Sequence, residues 1–370
     1  MKKKGIIANR IEREKLKREQ KRKRKKVIAA ILATVGGVGS STVASFIVAY
    51  EVMFAHCNRP DYSITPGEYC YNRVKDRLFR EEFYFNAGDS RLKGYYYPST
   101  ENKGLVIVVP GLRAGADDFI PISEYLVNSG YNVFSYDGTG VYDSEGDSMV
   151  GMCQALIDLE QVINYLNSEE KYKNQPKFLI GHSLGGYAVT SVLAIHKDIK
   201  AVVGIAPMCS ASSIMVDKGT QYAGKVAYLS KPLFDSYQWI LFEKYLSHNG
   251  VRGINSVDIP VLIAQGIDDK DITYDKQSII AHRNKITNPN VIYYETKGVQ
   301  GGHQTIMQSV ESVLYQKEVE SDLKRLKFLK GTDLTKEEKA DYIKTVNHKL
   351  YSAVNEELMQ KILALFNSVL

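Results

Sequence analysis

Gly181-His182-Ser183-Leu184-Gly185 sets a serine between a short apolar run, Phe178-Leu179-Ile180, and a stretch of helical character reaching His196. A serine on a sharp strand-to-helix turn must take strained backbone angles. The flanking glycines leave room for neighbouring chain to approach closely. Such a turn lifts the hydroxyl above a sheet, beside the positive end of the following helix. The pattern therefore demands a strand before it, a helix after it and a sheet beneath it.

The rest of the chain supplies that sheet. Glu82–Phe85 and Leu92–Tyr97 are β-rich stretches around an Asn86-Ala87-Gly88-Asp89 turn, which predicts an opening hairpin. Leu105–Val109, Asn132–Tyr136, Phe178–Ile180, Ala201–Ile205, Val261–Ala264 and Val291–Tyr294 follow as short apolar strands. Helical stretches over Asp117–Asn128, Ala155–Leu166 and Leu184–His196 separate the earlier ones. This alternation predicts an α/β fold whose mostly parallel sheet is covered on both faces. Residues 208–258 interrupt it with aromatics at loosely helical spacing, among them Tyr237, Trp239 and Phe242. They are either a lid over the strand ends or an ordinary helical connection. From Thr305 onward the chain reads as helical, with a capping box at Thr335–Glu338.

A serine hydroxyl is a weak nucleophile until a base takes its proton, and the base must be held by an acid. Downstream of Val261–Ala264 lies Gly266-Ile267-Asp268-Asp269, and after the next strand Gly301-Gly302-His303. Ser183, Asp269 and His303 thus fall on loops at one sheet edge, with Asp268 and Asp271 as competing carboxylates. His182 reads as a locally packed ring. A tetrahedral intermediate also needs N–H donors for its oxyanion. Leu184, after the nucleophile, is one candidate, and Leu112 in Pro110-Gly111-Leu112-Arg113 is the other. Arg113 suits either an anionic substrate or plain solvation.

The first sixty residues have another character. Before Val27 stand 14 Lys/Arg and 3 Asp/Glu, a local charge of +11, whereas the remainder carries −5. A nucleic-acid-binding domain would hold its basic excess on the folded body, so that class is disfavoured. Val27–Tyr50 contains no charged residue over 24 positions. As a helix at about 1.5 Å per residue this is long enough to cross a hydrocarbon core of about 30 Å. It is also longer than the apolar region of a cleaved signal peptide. The basic run Lys21–Lys26 would keep the N-terminus cytoplasmic, leaving the body outside the cytoplasm in a single-pass cell-membrane protein. Small residues at Ala29, Ala33, Gly37, Ser41, Ser45 and Ala49 weakly suggest a homodimer through this helix. The four cysteines lack zinc-site spacing, and Cys57 and Cys70 are either a disulfide pair or free thiols.

The elbow, together with Asp137-Gly138-Thr139-Gly140 and Ser144-Glu145-Gly146, resembles the α/β-hydrolase superfamily. Within it the chain is similar to membrane-anchored bacterial serine hydrolases of the esterase or lysophospholipase-like kind. The resemblance covers roughly residues 83–307. It implies an eight-stranded sheet and cofactor-free hydrolysis of an ester, thioester or amide in a small or lipid-like acyl substrate. Pro110-Gly111 lacks the histidine that precedes this glycine in many relatives. A peptidase or an acyltransferase would use the same three residues, and a non-catalytic interaction protein would have no need of them. The expected organisation is a basic arm (1–26), a membrane span (27–54), a linker (55–80), a core (81–307) and a helical extension (308–370).

Overall fold

The computed structural model describes residue 48 and residues 50–88, 90–211 and 231–370, the side chains of 231–234 apart. Eight strands form one sheet: β1 (Glu81–Ala87), β2 (Ser90–Tyr97), β3 (Leu105–Val109), β4 (Asn132–Tyr136), β5 (Lys177–His182), β6 (Ile199–Ile205), β7 (Val261–Gly266) and β8 (Val291–Thr296). Their spatial order is β1-β2-β4-β3-β5-β6-β7-β8. β2 runs antiparallel to both its neighbours, and every later pairing is parallel. The hairpin closes where the sequence places it, with Ala87 opposite Ser90.

The helices are α1 (Ile120–Asn128), α2 (Gln154–Ser168), α3 (Leu184–Ser191), α4 (Lys231–Phe242), α5 (Gly250–Ile254), α6 (Val310–Lys330), α7 (Lys336–Thr345), α8 (His348–Tyr351) and α9 (Glu356–Asn367). A strand's side chains alternate between faces, so a central strand buried on both sides reads as continuously apolar. In β3, Leu105, Ile107 and Val109 pack with α2 and α3, in a core holding Leu156, Val162 and Tyr187. Val106 and Val108 point the other way, into a second core with Ile120, Leu126 and the α9 residues Leu358, Ile362 and Phe366.

Two expected boundaries shift. The last helix of the 308–370 segment is a layer of the core: Phe366 is fully buried, its ring 4.7 Å from Phe178 and 5.7 Å from Tyr131. Only α6–α8 stand apart, around a small cluster of Val319, Ile343 and Val346. That excursion hides the connection in the sequence. Residues 55–80 are not a free linker either. Val74 and Leu78 are buried in the second core, and Ala55 and Cys57 pair with Ser148 and Val141. The loop after β4 has backbone amides to satisfy, and the incoming chain supplies acceptors: Met149 donates to the Phe54 carbonyl at 2.7 Å and Tyr142 to that of Cys57 at 2.8 Å.

The expected span, 27–54, and its small-residue stripe lie outside the described residues up to position 47 and at 49. Among the described residues no helix is long and apolar enough to cross a membrane. Of the 208–258 insertion, residues 212–230 are likewise outside the description. Cys57 and Cys70 are free thiols.

Candidate active site

Ser183 sits at φ 57°, ψ −115°, a conformation that side chains other than glycine rarely adopt. Its N–H donates to the Ile205 carbonyl at 2.9 Å, and its own carbonyl accepts the first helical bond, from Tyr187 at 3.0 Å. The turn is therefore held from both sides. Gly185 is required by proximity, since a Cβ there would come within 2.1 Å of the Val109 carbonyl oxygen.

The three residues singled out in the sequence meet above the strand ends. His303 Nε2 lies 2.9 Å from Ser183 Oγ, and His303 Nδ1 lies 2.8 Å from Asp269 Oδ2. Because Nδ1–H donates to the carboxylate, Nε2 presents its lone pair to the serine hydroxyl. Asp269 is buried. Its Oδ1 accepts from the Asp271 and Ile272 amides at 2.8 and 2.9 Å, and its Oδ2 also accepts from Gln265 Nε2 at 3.0 Å. Burial alone would raise this carboxyl's pKa, but the hydrogen bond and charge of His303, with the two amides, hold it below the usual value. The neighbouring carboxylates part company here. Asp268 is exposed and turns to the Gly298 N–H at 2.7 Å, bracing the loop that carries His303. Asp271 lines the cavity beside Ile272.

His182 is buried, and its Nε2–H donates to the His303 carbonyl at 3.0 Å. Burial, reinforced by the charge of His303, pushes its pKa down to about 3. It is a neutral prop under the His303 backbone. Leu112 and Leu184 both face the cavity, and Leu184 is the first residue of α3, whose amide has no intrahelical acceptor. Arg113 takes φ 61°, is exposed as the solvation reading expects, and reaches the Met53 carbonyl at 3.4 Å.

The cavity holds about 750 Å³. Leu112, Phe119, Met152, Met208, Ile272 and Met307 give it apolar walls. Further wall comes from outside the expected core: Met53 and Tyr69 precede β1, and Gln316 and Tyr351 belong to α6 and α8. Among the described residues no group of His, Cys, Asp and Glu is placed to hold a metal ion.

A second polar cluster, missed in the sequence, supports the Leu112 loop. Arg59 donates to Asp117, to Asp137 at 3.1 Å, to Asp143 at 2.9 Å and to the Tyr95 hydroxyl at 2.7 Å. Arg80 pairs with Asp117 from the other side. Asp137 also accepts the Ala116 N–H at 3.0 Å and the Tyr95 hydroxyl at 2.9 Å. Burial pushes the Asp137 pKa up to about 6, against the pull of Arg59. Asp118, at the cavity wall, accepts from the Gly115 N–H and the Tyr142 hydroxyl, both at 2.8 Å. The family-like Asp137–Gly140 motif marked one member of this cluster. Nothing local marked Arg59, which lies 78 residues upstream of Asp137.

Comparison with known proteins places the chain among hydrolases. Residues 100–249 match a family model described as serine aminopeptidase, S33. The chain is 27% identical over 126 residues to protein phosphatase methylesterase 1 of Candida albicans, covering 34% of each chain. It is 28% identical over 141 residues to human monoglyceride lipase, covering 37% of this chain and 46% of that protein. The chain thus spans a third to a half of the curated relatives it matches. Among solved structures, an esterase of Pyrococcus furiosus superposes with a TM-score of 0.50 at 20% identity, over 74% of this chain and 98% of the other. That likeness is one of fold.

Proposed function

We propose that this chain, a member of the α/β-hydrolase superfamily, is a serine hydrolase that cleaves an ester through an acyl-enzyme on Ser183. The observation that carries the reading is the unbroken relay from Ser183 Oγ to His303 Nε2 at 2.9 Å and from His303 Nδ1 to Asp269 at 2.8 Å, on a strained elbow. Ser183 Oγ attacks the carbonyl carbon as its proton passes to His303 Nε2. The oxyanion takes hydrogen bonds from the Leu112 and Leu184 amides. Collapse breaks the ester C–O bond, and His303 returns the proton to the leaving alcohol. Water then repeats the sequence and frees the acid. Asp269 keeps the imidazole in the right tautomer and offsets its transient charge.

An ester is favoured over an amide by the company the chain keeps, a methylesterase and a lipase by name. The apolar cavity walls suit an acyl chain. Aminopeptidase action is the second reading, supported by the matched family's description and by the carboxylates of Asp118 and Asp271 on the cavity wall. The test is a panel of p-nitrophenyl esters and aminoacyl p-nitroanilides on the detergent-solubilised full chain. Turnover of esters is expected, and turnover of anilides alone would overturn the ester reading. The full chain is needed because Arg59 and the strand-like pairing at 55–57 lie directly before the globular body.

The charge-free run Val27–Tyr50 behind Lys21–Lys26 supports a single-pass anchor with the body outside the cytoplasm. Protease added to intact cells should digest the body and spare the arm. A body protected until lysis would contradict that topology.

A further inference from the structure

The charge-free run does not end in a tether. Its last residue, Tyr50, is helical and 2% exposed, and Phe54, one turn on, is fully buried. Tyr50 donates its hydroxyl to the Val150 carbonyl at 3.0 Å and packs edge-on against Tyr237 of α4 at 5.1 Å. Gln238 of α4 donates to the same hydroxyl. Glu51, the first charge after the run, accepts a hydrogen bond from Tyr237 at 2.8 Å. The helix end is thus clamped to α4 and to the loop after β4.

Among the described residues, both helices carry exposed apolar side chains. Val48 and Val52 are 62% and 67% exposed, and on α4 Trp239 and Ile240 are 63% and 36% exposed. Trp239 directly follows the two residues that grip Tyr50. Three residues past Tyr50, Met53 lines the cavity of Ser183, only about 4.5 Å further along a helix. On the anchor reading, a cavity wall so near the end of a membrane-length run would sit at headgroup depth, and a tryptophan is the side chain that depth favours.

We infer that Val48, Val52, Trp239 and Ile240 form a surface that docks against the lipid bilayer and turns the mouth of the Ser183 cavity toward it. The inference rests on the anchor reading above. The occupant is the membrane that the preceding residues enter, because the run of 24 uncharged residues ends on this surface. The cavity then draws an acyl ester seated in the leaflet, with its chain reaching the apolar walls and its ester reaching Ser183.

Trp239 is the chain's single tryptophan, so its emission reports this surface alone. The full chain is reconstituted in phosphatidylcholine–phosphatidylglycerol vesicles with or without brominated acyl chains. Blue-shifted emission, quenched by the bromolipid and shielded from aqueous iodide, is expected. Emission open to iodide and untouched by bromolipid, from protein that floats with the vesicles, would overturn the docking surface while sparing the anchor. Protein that fails to float would overturn both. Trp239→Glu with Ile240→Lys should preserve hydrolysis of a short soluble ester while lowering hydrolysis of a vesicle-borne ester several-fold. An equal loss on both substrates would also count against the docking surface.

Discussion

The two sides of the cavity are held in place by different physics. On one side Ser183, Asp269 and His303 stand at the ends of β5, β7 and β8, where parallel strands in register carry three distant loops to one edge. On the other, the Leu112 loop, the loop after β4 and the chain entering at Phe54–Arg59 lie outside the sheet and helices. They are tied together by the half-buried Arg59 and the buried charges of Arg80, Asp117 and Asp137. The first side is set by the hydrophobic register of a sheet. The second depends on a few ion pairs, so it should fail differently when broken.

The largest expected effects fall on the sheet side, in chemistry and not in stability. Ser183→Ala and His303→Ala should each lower kcat/KM by about 10⁴-fold or more, with melting temperature nearly unchanged, and the double variant should be little worse. Asp269→Asn should follow at a comparable loss, since an amide can favour the wrong tautomer. Steady-state kinetics on a soluble ester read all of these. A Ser183→Ala variant that kept its rate would remove the sheet side from the chemistry.

On the other side the order should reverse, with stability suffering first. Arg59→Ala leaves the buried Asp137 carboxylate without its cation and Asp117 with Arg80 alone, a change that typically costs about 3–5 kcal/mol. Thermal unfolding should register it. The activity that remains below the transition should show a reduced kcat with KM little changed, as the Leu112 loop loses its brace. Arg59→Lys keeps the charge without the fork and should fall between. If Arg59→Ala melted like wild type, the ion cluster would not be what holds this side.

A pH titration separates the two sides further. His182 has its pKa pushed down to about 3 by burial, so the folded protein favours the neutral ring. Its contribution is complete above the unfolded value of about 6.5 and fades as pH falls toward 3, on the order of 5 kcal/mol across that window. Asp137 has the opposite sign. Its pKa is raised to about 6, so its contribution is complete below the unfolded value near 4 and is lost as pH rises through 6. Urea unfolding between pH 4 and 7 should show the acid-side loss, and His182→Gln should flatten it. Asp268→Asn should matter least. The exposed side chain only accepts the Gly298 N–H, which an amide oxygen can also do, so kcat/KM should stay within a few-fold.

Legibility in the sequence follows the same division. The elbow and the Gly-x-x-Asp and Gly-Gly-His loops were readable because each is a short local pattern attached to an apolar strand. The sequence favours Asp269 as the acid but leaves Asp268 and Asp271 as rivals, since neighbouring residues differ only in where their side chains turn. Arg59 was invisible because its carboxylate partners lie 58 to 84 residues away in the chain. The role of α9 as a core layer was hidden by the α6–α8 excursion between it and β8. Met53 passed for the end of a membrane run, although it forms cavity wall.

One measurement bears most directly on the assignment of Ser183 as a nucleophile made reactive by His303 and Asp269. The full chain and its Ser183→Ala and His303→Ala variants are treated with a fluorophosphonate, and the adduct is located by intact-protein and peptide mass. One adduct per chain is expected, on the peptide bearing Ser183, absent from Ser183→Ala and formed far more slowly in His303→Ala. An adduct on another residue, or undiminished labelling of Ser183→Ala, would contradict the assignment.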